Sequence, residues 1–451
     1  MVDMVANGTS LWAGSGYGLN RTDDSGMTWT GFTSADYIGK GGVSALGMMD
    51  DSTLWIATAF DTTVRDIGAL DAGGGLSYTR DMGKTWTHFR QPIDSRDETE
   101  YRPTTTNVQN LTFDIAFLDS VIWITSWGGG LRKSEDMGKT WQVVTVDGKP
   151  FDANAGTNSG WRHHVTFSVI NVGDSVLWVG TAAGISKSKD GGSTWRHFSH
   201  QNQDLPISGN FVVAMGHQPA TGTIWAATIQ ADTDTSEFRA VSKSDDGGES
   251  WQTFLSGTFA HNFAFYGDYV YVASDDGMYV TNNGGADWYI LPEVRDYITG
   301  EILIDKEYFS AAVTTEGLAN RFWAGNGDGI ASTIDNGNTW KVHRSFLSTR
   351  KAETPDVYAY PSPFSPSRSG YIRFQYDITR AGEIIIDIYD FSMDHVVTIR
   401  ENESFPSEAT YDRNARWDGK NEAGMPVASG VYFFRVNVEG KISWGKLVII
   451  N

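Results

Sequence analysis

Five segments of this chain, 60–74, 90–110, 146–164, 229–239 and 291–307, interrupt an otherwise regular pattern, and four of them contain candidate catalytic carboxylates. Two carboxyl groups held on either side of a glycosidic bond are what the hydrolysis of a sugar chain requires. A formal net charge of −20 places carboxylates throughout the chain, so their abundance alone selects no catalytic pair. The candidates in the five segments are Asp66, Asp71, Asp97, Glu98, Glu100, Asp232, Glu237, Asp296 and Glu301.

Arginines and tryptophans in and beside the same segments could bind a ligand. Three converging arginines would hold an acidic sugar, and those available are Arg65, Arg96, Arg102, Arg162, Arg239 and Arg295. Trp127 and Trp161 lie outside the regular pattern, and they could stack on a sugar ring or anchor a partner. The alternative is that both tryptophans fill the interior of a loop.

Histidines and one tyrosine occur in the same region. The run "WRHH" places His163 and His164 directly after Arg162, just before a strand. Adjacent residues of a strand point to opposite faces, so at most one of the two histidines faces a central channel. His261 and Tyr308 enter later strands at the equivalent place. No histidines have the paired spacing of a metal site, and we expect neither a metal nor another cofactor.

An octapeptide of the form Ser/Thr-x-Asp-x-Gly-x-Thr-Trp occurs seven times, as in "SEDMGKTW" and "SKDGGSTW". The sixth copy, "TNNGGADW", has asparagine in place of the aspartate. The aspartate can bond local backbone N–H groups, the glycine permits an unusual dihedral angle and the tryptophan buries a large area, so the octapeptide predicts a structural turn. The residues at the third position of the seven octapeptides are Asp24, Asp81, Asp136, Asp190, Asp246, Asn283 and Asp335.

A short apolar strand with one aromatic residue precedes each octapeptide. The aromatic residues are Trp12, Trp55, Trp123, Trp178, Trp225, Tyr271 and Trp323. Four short β-like runs fill each repeat, and no segment has sustained helical periodicity. Four-stranded units repeated around an axis form a β-propeller, so we expect an all-β fold with seven blades in residues 1–345. Each blade is expected to supply its own four strands.

Composition excludes several classes of partner. The net charge of −20 argues against nucleic acid, because binding to phosphates requires concentrated lysine and arginine. No stretch is apolar enough to span a bilayer, so we expect no membrane insertion. The chain has no cysteine, which excludes disulfides and thiolate metal sites. No signal peptide precedes the first repeat, so an exported protein would be represented here by a mature or truncated form.

The octapeptide resembles the Asp box, or BNR repeat, of sialidases, xyloglucan-degrading enzymes, sortilin-type receptors and other secreted propellers. The resemblance implies that each box forms the turn between the third and fourth strands of a blade, away from the active face. The five interrupting segments would then share the opposite face: 60–74, 90–110, 146–164, 229–239 and 291–307. The Arg-Ile-Pro motif of sialidases is absent, and the paired aspartates of xyloglucanases have no recognisable motif, so no catalytic residue is carried over.

The last hundred residues have a different pattern. A Pro/Ser-rich linker at 346–360 precedes a unit at 361–451 with the alternating strands of a small sandwich. The pieces "YPSPFSP", "AGEIIIDIYD", "WDG", "GMPVASGVYFFR" and "GKLVII" resemble the immunoglobulin-like domain of flagellar hook-capping proteins and the C-terminal sorting domains of type IX secretion. The resemblance implies contact with a secretion machinery and a secreted or outer-membrane location. Trp417 and Trp444 are expected in the sandwich core.

The sequence therefore predicts a secreted or cell-surface binding module for a glycan or another surface protein. A secreted glycoside hydrolase, sialidase-like or xyloglucanase-like, and a structural component of a surface assembly are the alternatives. The residues expected at the site, on the face of the interrupting segments, are Trp127, Trp161, Arg162, His163, His261, Arg65, Arg102 and Tyr308.

Overall fold

The computed structural model of the 451-residue chain describes residues 3–98, 105–146, 149–150, 162–231, 236–298, 300–316, 319–343, 356–403, 413 and 415–450. The described residues form an all-β structure, with one 3-10 turn at Ser34–Asp36 and one short helix, α1, at Pro366–Ser369. Among these residues, no helix is both long enough and apolar enough to cross a membrane.

The chain divides into two compact units. The first comprises Met1–Leu19, Phe32–Leu291 and Lys306–Gly327. The second comprises Asn20–Gly31, Pro292–Asp305 and Asp328–Asn451.

The described residues between Asp3 and His343 form seven four-stranded antiparallel sheets, each from four strands that are consecutive in the sequence. The strands of the first three sheets are β1 (Asp3–Asn7), β2 (Ser10–Ser15), β3 (Gly18–Thr22), β4 (Thr30–Phe32), β5 (Gly42–Met48), β6 (Leu54–Val64), β7 (Gly68–Thr79), β8 (Thr87–Phe89), β9 (Thr112–Leu118), β10 (Val121–Ser126), β11 (Arg132–Ser134) and β12 (Gln142–Val143). A small hairpin follows, made of β13 (Thr145–Val146) and β14 (Lys149–Pro150).

The other four sheets repeat the same order of strands. Their strands are β15 (Thr166–Val172), β16 (Val176–Thr181), β17 (Gly184–Ser188), β18 (Arg196–Phe198), β19 (Phe211–Gln218), β20 (Thr223–Ile229), β21 (Ala240–Ser244), β22 (Gln252–Phe254), β23 (Ala260–Tyr266), β24 (Tyr269–Ser274), β25 (Gly277–Thr281), β26 (Tyr289–Ile290), β27 (Tyr308–Glu316), β28 (Ala319–Asn326), β29 (Ile330–Thr333) and β30 (Lys341–His343).

The first strands of the seven sheets form a closed ring. Each contacts the first strand of the next sheet, in the order β1, β5, β9, β15, β19, β23 and β27, and β27 contacts β1 again. At the closure, the backbone N–H of Thr315 donates to the carbonyl oxygen of Gly8 at 2.8 Å. Sheets arranged around an axis in this way form a β-propeller. The prediction that each sheet uses four strands of its own repeat is confirmed.

The octapeptides form the expected turns. Asp136 accepts hydrogen bonds from the backbone N–H of Thr140 at 2.8 Å and from its hydroxyl at 2.6 Å. Ser134 donates its hydroxyl to Asp136 and accepts from the N–H of Gly138, both at 2.9 Å. The hydrogen bonds from Thr140 lower the pKa of Asp136 to about 2. The same arrangement recurs at Asp24, Asp81, Asp190, Asp246 and Asp335.

The sixth turn keeps its form with different groups. Asn283 accepts from the N–H of Asp287 at 3.0 Å, and its amide donates to the Asp287 carboxylate at 2.9 Å. The asparagine and aspartate therefore exchange the donor and acceptor roles that aspartate and threonine have in the other turns.

Turns of the first unit also pack against the preceding sheet. The ring of Trp195 meets the edge of Trp123 with 6.4 Å between centroids, and Trp251 meets Trp178 in the same way at 6.5 Å. The glycine of the turn makes this approach possible: Gly138 has a φ of 80°, and a Cβ atom there would lie 2.8 Å from the ring of Trp55. The repeated octapeptide thus closes a turn within one sheet and packs that sheet against its neighbour.

The C-terminal strands form a two-sheet sandwich. They are β31 (Val357–Tyr360), β32 (Ile372–Tyr376), β33 (Gly382–Tyr389), β34 (His395–Glu403), β35 (Arg416–Trp417), β36 (Gly430–Val438) and β37 (Lys441–Ile449). One sheet has the order β31-β32-β35 and the other β34-β33-β36-β37. Phe374 and Phe434 meet in the shared core with 5.0 Å between ring centroids. Strand β31 lies within the range for which the sequence predicts a linker.

The two tryptophans of the sandwich have different environments. Trp417 is buried in the core, as expected. The expectation for Trp444 is wrong, because half of this residue is exposed and its ring packs beside Tyr389. Along β37 the side chains of Leu447 and Ile449 are buried, and Trp444 occupies the opposite face of the alternating strand.

Candidate ligand-binding cavity

Six of the seven first strands contain a register shift at the same place. In each of them one residue has no partner in the second strand, which is the defining feature of a β-bulge. The residues skipped by the pairing are Ser44, Phe113, Phe167, Val213, His261 and Phe309. A bulge re-aims the side chain that it carries, and here the bulge is repeated around the ring.

All six bulged residues line one cavity in the first unit. Its volume is about 1150 Å³, which is large for a site that takes a small molecule. Met48, Met215, Phe117 and Phe263 also line it. The repeated bulge therefore gives the cavity a lining that the regular strands would not supply, with polar side chains such as Ser44, Asp114 and Asn262 beside the aromatic and aliphatic ones.

One side of the cavity has a cluster of four aromatic rings. Phe167 lies 5.6 Å from Phe113 and 4.6 Å from Phe211, measured between ring centroids. Trp127 packs on Phe167 at 5.7 Å and on Phe211 at 5.9 Å, and 40% of Trp127 is exposed. Trp127 thus adjoins the cavity through Phe167, and its exposed ring is accessible to a ligand.

A second aromatic group contains His261. The imidazole lies 4.5 Å from the ring of Phe259 and 5.2 Å from that of Phe309, and its Nε2 is 3.2 Å from Oε1 of Glu307. Burial lowers the pKa of His261 and outweighs the nearby Glu307 carboxylate, which acts in the opposite direction. His261 is therefore mainly neutral at pH 7. The other histidine in the lining, His217, also has a pKa lowered by burial.

Two carboxyl groups, those of Asp3 and Asp114, line the same cavity. Asp3 accepts hydrogen bonds from the N–H groups of Met4 at 2.8 Å and Leu46 at 3.2 Å, and from the amide of Asn262 at 3.1 Å. Asp114 accepts from the N–H groups of Ile115 at 2.8 Å and Val169 at 2.9 Å. Each aspartate therefore bonds the first strand of the next sheet as well as its own strand.

Burial raises the pKa of both carboxyls. That of Asp3 rises to about 7, and the repulsive charge of Asp114 adds to the effect of burial. That of Asp114 rises to about 6, although two backbone N–H groups oppose the shift. The described residues that line the cavity include no lysine and no arginine, so no basic side chain of the lining neutralises these carboxyls. An acid and a base with pKa values near neutrality can therefore coexist in this site.

The predicted site residues are only partly brought together. His261 lines the cavity, Trp127 adjoins it, and Tyr308 is buried directly before Phe309 in β27. Arg65 is exposed in the turn of the long β6–β7 hairpin, 3.7 Å from Asp66. Trp161 and Arg102 lie outside the described residues.

The described residues of the "WRHH" run, Arg162, His163 and His164, do not line the cavity. Arg162 is partly buried, and its carbonyl accepts from the N–H of Val165 at 3.2 Å. His163 is buried, with its ring 3.9 Å from that of His197, and burial lowers its pKa to about 3. His164 is also buried, and its Nε2 lies 3.1 Å from the carbonyl oxygen of Gly128. Both histidines are neutral groups of the interior.

Three of the candidate carboxylates act as internal anchors. Glu237 is buried and accepts from the amides of Asn210 at 2.7 Å and Gln201 at 2.8 Å. In the second unit, Asp296 accepts from the N–H of Val342 at 2.9 Å, and Glu301 forms a buried ion pair with Arg373 at 2.7 Å.

The remaining candidates lie on the surface or outside the described residues. Asp71 pairs directly across the β6–β7 hairpin with Asp61. Burial raises the pKa of Asp71, and Asp61 adds to the shift. Asp66 and Asp97 are exposed and Glu98 is partly exposed, while Glu100 and Asp232 lie outside the described residues.

The described arginines among the six that could bind an acidic sugar do not converge on the cavity. Arg239 lies 3.7 Å from Asp275, and Arg295 lies 3.1 Å from Glu293. Arg96 is exposed. None of the described arginines of the six lines the cavity.

Sequence reasoning missed Asp3 and Asp114. A signal was present, since each lies two residues before the residue that pairs with the aromatic of the second strand: Val5 with Trp12, and Ala116 with Trp123. Aligning the first strands on that aromatic would have revealed a carboxyl at the same position twice.

Comparisons with known proteins identify the fold. No protein-family model matches the chain, and no curated protein matches it significantly. Among solved structures, an ancestral GH74 enzyme has a TM-score of 0.51 and 15% identity, over 99% of this chain and 61% of that one. An extracellular domain of a one-component system from B. thetaiotaomicron has a TM-score of 0.51 and 13% identity, over 99% of this chain and 56% of that one.

A third match is PorZ, described as a surface component of the type IX secretion system of Porphyromonas gingivalis. Its TM-score is 0.44 and its identity 16%, over 98% of this chain and 64% of PorZ. The chain thus spans 56% to 64% of the length of these three structures. At such identities the likeness concerns the fold alone, and the two matches at 0.51 agree with a β-propeller.

Proposed function

We propose that this chain is a surface recognition module whose propeller binds a glycan in the cavity lined by the bulged residues. The observation that carries the proposal is the repeated bulge, which brings Phe113, Phe167, His261 and Phe309 to one cavity. Strand β1 takes its place in the ring with a regular pairing to β2 and no such bulge. Bulges concentrate beside functional sites because they re-aim side chains.

A glycan matches the chemistry of the lining. Sugar rings have apolar faces that stack on aromatic rings and hydroxyl groups that require hydrogen-bond partners. Phe113 and Phe167 supply the first kind of contact, and Asn171 and Asn262 supply amides at the same cavity. Trp127 extends the aromatic surface beyond the cavity. A surface protein that inserts a side chain is the other kind of ligand and is one outcome of the test below.

We further propose that the propeller is a seven-bladed Asp-box propeller of the sialidase-like and sortilin-like type. The seven octapeptide turns support this proposal, since six share one pattern of hydrogen bonds and the turn at Asn283 keeps the same form with different groups. The C-terminal sandwich is proposed to be an immunoglobulin-like sorting domain, which would direct the protein through a secretion machinery to the bacterial surface. Its two sheets and the quoted C-terminal motifs support that part.

A glycan array, followed by calorimetric titration of each hit, tests the binding function. We expect a hit whose affinity falls at least tenfold in the Phe167→Ala variant, since a stacked aromatic is a typical binding hot spot. Ile334→Ala, at an exposed apolar residue that does not line the cavity, is the control and should bind normally. The array could instead give no hits while the protein captures one surface protein, with capture lost in Phe167→Ala. That result would show that the ligand is a protein and not a glycan.

A glycoside hydrolase is the second candidate, and the pair Asp3 and Asp114 favours it. Two carboxyls with raised pKa values in one cavity could divide the roles of acid and base. Incubation of array hits with the protein, with products analysed by mass spectrometry, distinguishes the candidates. Cleavage that disappears in Asp114→Asn would establish the enzyme, whereas unchanged glycans would leave the binding module. No ligand and no cleavage would favour a structural component of a surface assembly.

A further inference from the structure

We propose that the cavity selects a sugar that carries a protonated amine, with the ammonium group placed between Asp3 and Asp114 and the aromatic rings beside them. This inference rests on the proposed glycan-binding function and specifies the class of sugar. The charge of the bound sugar is a property that the shape of the cavity alone does not determine.

The charged side chains of the cavity lining are of one sign. Among the described residues that line the cavity, Asp3 and Asp114 are the acidic groups, and no lysine or arginine accompanies them. His217 and His261 lie there as well, but burial favours their neutral forms. Ionised carboxyls in a buried site without a cationic partner are costly, and the cost is relieved when a cation binds. An ammonium group would supply that partner and favour the ionised carboxyls, whereas the carboxylate of an acidic sugar would oppose their ionisation further.

The aromatic rings favour the same ligand charge. Phe113 immediately precedes Asp114, and the ring of Phe113 lies 5.6 Å from that of Phe167. The face of an aromatic ring attracts a cation, and the attraction increases when both groups are removed from water. A ring of the sugar could therefore stack on one phenylalanine while its ammonium group lies close to the carboxyl of Asp114.

A buried hydroxyl in the lining has no partner. Ser168 is 97% buried, lines the cavity and has an Oγ atom without a hydrogen-bond partner. It occupies in β15 the position directly after the bulge, as Asp114 does in β9. A buried polar atom that lacks a partner is unfavourable, so a polar ligand that satisfies it gains affinity. An amino sugar has hydroxyl and ammonium groups that could fill this role.

A metal ion fits the site less well than an ammonium group. No cluster of three histidine, aspartate or glutamate side chains that could hold a metal ion occurs among the described residues. Calcium takes six to eight oxygen ligands, and magnesium requires near-octahedral geometry. Asp3 and Asp114 provide only two carboxyl groups, and oxygens of both already accept backbone hydrogen bonds, so the site has far fewer oxygen ligands than either ion requires.

The inference is tested by calorimetric titration with glucosamine oligosaccharides and with N-acetylglucosamine oligosaccharides of the same length, at pH 6. Acetylation removes the charge and keeps the sugar rings. We expect the free-amine oligosaccharides to bind at least about tenfold more tightly, and the difference to disappear in Asp114→Asn. Asp97→Asn, at an exposed carboxylate of the same unit, should retain the difference.

The outcomes separate this inference from the proposed function. Equal binding of the two oligosaccharides, or preference for the acetylated one, overturns the amine and leaves glycan binding intact. If neither binds and the glycan array has no hits, both proposals fail together. Binding of a lysine-containing peptide, but not of amino sugars, that is lost in Asp114→Asn would assign the carboxyls to a protein ligand and overturn the sugar. The comparison of the two oligosaccharides uses the wild-type protein, so it is decisive even if a variant fails to fold.

Discussion

The carboxylate of Asp114 accepts a hydrogen bond at 2.9 Å from the backbone N–H of Val169, which belongs to the first strand of the following sheet. Asp3 has the same relationship with Leu46 at 3.2 Å. These two bonds link neighbouring sheets at the wall of the cavity, so the carboxyls that could contact a ligand also support the ring. Any substitution at Asp3 or Asp114 must therefore be judged by stability as well as by binding.

We expect the stability of the protein to fall as the pH rises from about 4 to 7, and Asp114→Asn to reduce that fall. The native pKa of Asp114 is about 6, above the ordinary value of 3.8 for an aspartate, so the native state binds more protons than the unfolded state between these two values. The free energy of unfolding therefore decreases as the pH rises through that window. The asparagine does not titrate, and it should remove up to about 3 kcal/mol of the decrease.

Urea unfolding at several pH values measures this difference. Asp97→Asn, which removes an exposed carboxylate, is the control and should keep the wild-type pH profile. The same profile in wild type and Asp114→Asn would mean that Asp114 titrates alike in the folded and unfolded states.

The sixth octapeptide turn offers a test of coupling between two residues. Asn283→Asp would place a carboxylate against the carboxylate of Asp287, where the amide now donates at 2.9 Å. We expect the single variant to lose about 1 kcal/mol of stability. The double variant Asn283→Asp/Asp287→Thr restores the groups present in the other turns and should return to within about 0.5 kcal/mol of wild type. Thermal unfolding of the four proteins gives the coupling, and additive effects would contradict it.

Much of the fold could be predicted because the same pattern of residues recurs in every sheet of the propeller, where it forms the same turn and the same buried strand. The octapeptide and the strand aromatic recur together, and they located the seven turns and the seven buried second strands correctly. Trp444 was misplaced because alternation along a single strand does not reveal which face is buried. Register determines this, and the pairing of β36 with β37 is a tertiary property.

The cavity could be predicted only in part for a similar reason. The sequence indicates Trp127 because it lies outside the repeat, and His261 because it enters a strand at the same place as the "WRHH" run; both lie in or beside the aromatic lining. The bulges were missed because a bulge depends on how two strands pair, and the bulged residues have no common type. Glu237 was misjudged because a carboxylate in an insertion can equally serve to anchor that insertion, as it does here with Asn210.

The effects on stability of substituting Glu301 and Arg373, which form an ion pair, should depend strongly on each other. Both side chains are almost fully buried and their charged atoms are 2.7 Å apart. Arg373→Met leaves the glutamate charge buried, and we expect a loss of about 3–5 kcal/mol in stability. Glu301→Met/Arg373→Met removes both charges and should recover most of that loss. Differential scanning calorimetry compares the variants, and a double variant as unstable as the single one would mean that packing, not charge, dominates.

Trp123 and Trp127 provide a comparison of a repeat residue with a site residue four positions away. Trp123 is 1% exposed and packs against Trp195, whereas Trp127 is 40% exposed and packs on Phe167 and Phe211 beside the cavity. Trp123→Ala should cost about 3–5 kcal/mol, because it creates a cavity between two sheets. Trp127→Ala should cost less, about 2 kcal/mol, since part of this side chain is already exposed to solvent.

The effects of these two substitutions on ligand binding should have the opposite order from their effects on stability. We expect Trp127→Ala to weaken binding of the array ligand at least about tenfold while the melting temperature changes by only a few degrees, because the exposed ring is available to stack on a sugar. Trp123→Ala, measured at a temperature where it is folded, should bind with nearly wild-type affinity, since its ring does not reach the cavity lining. If Trp127→Ala instead unfolds many degrees earlier and binds normally, Trp127 supports the aromatic cluster from within, and the ligand contacts must be sought among Phe113, Phe167 and Phe309.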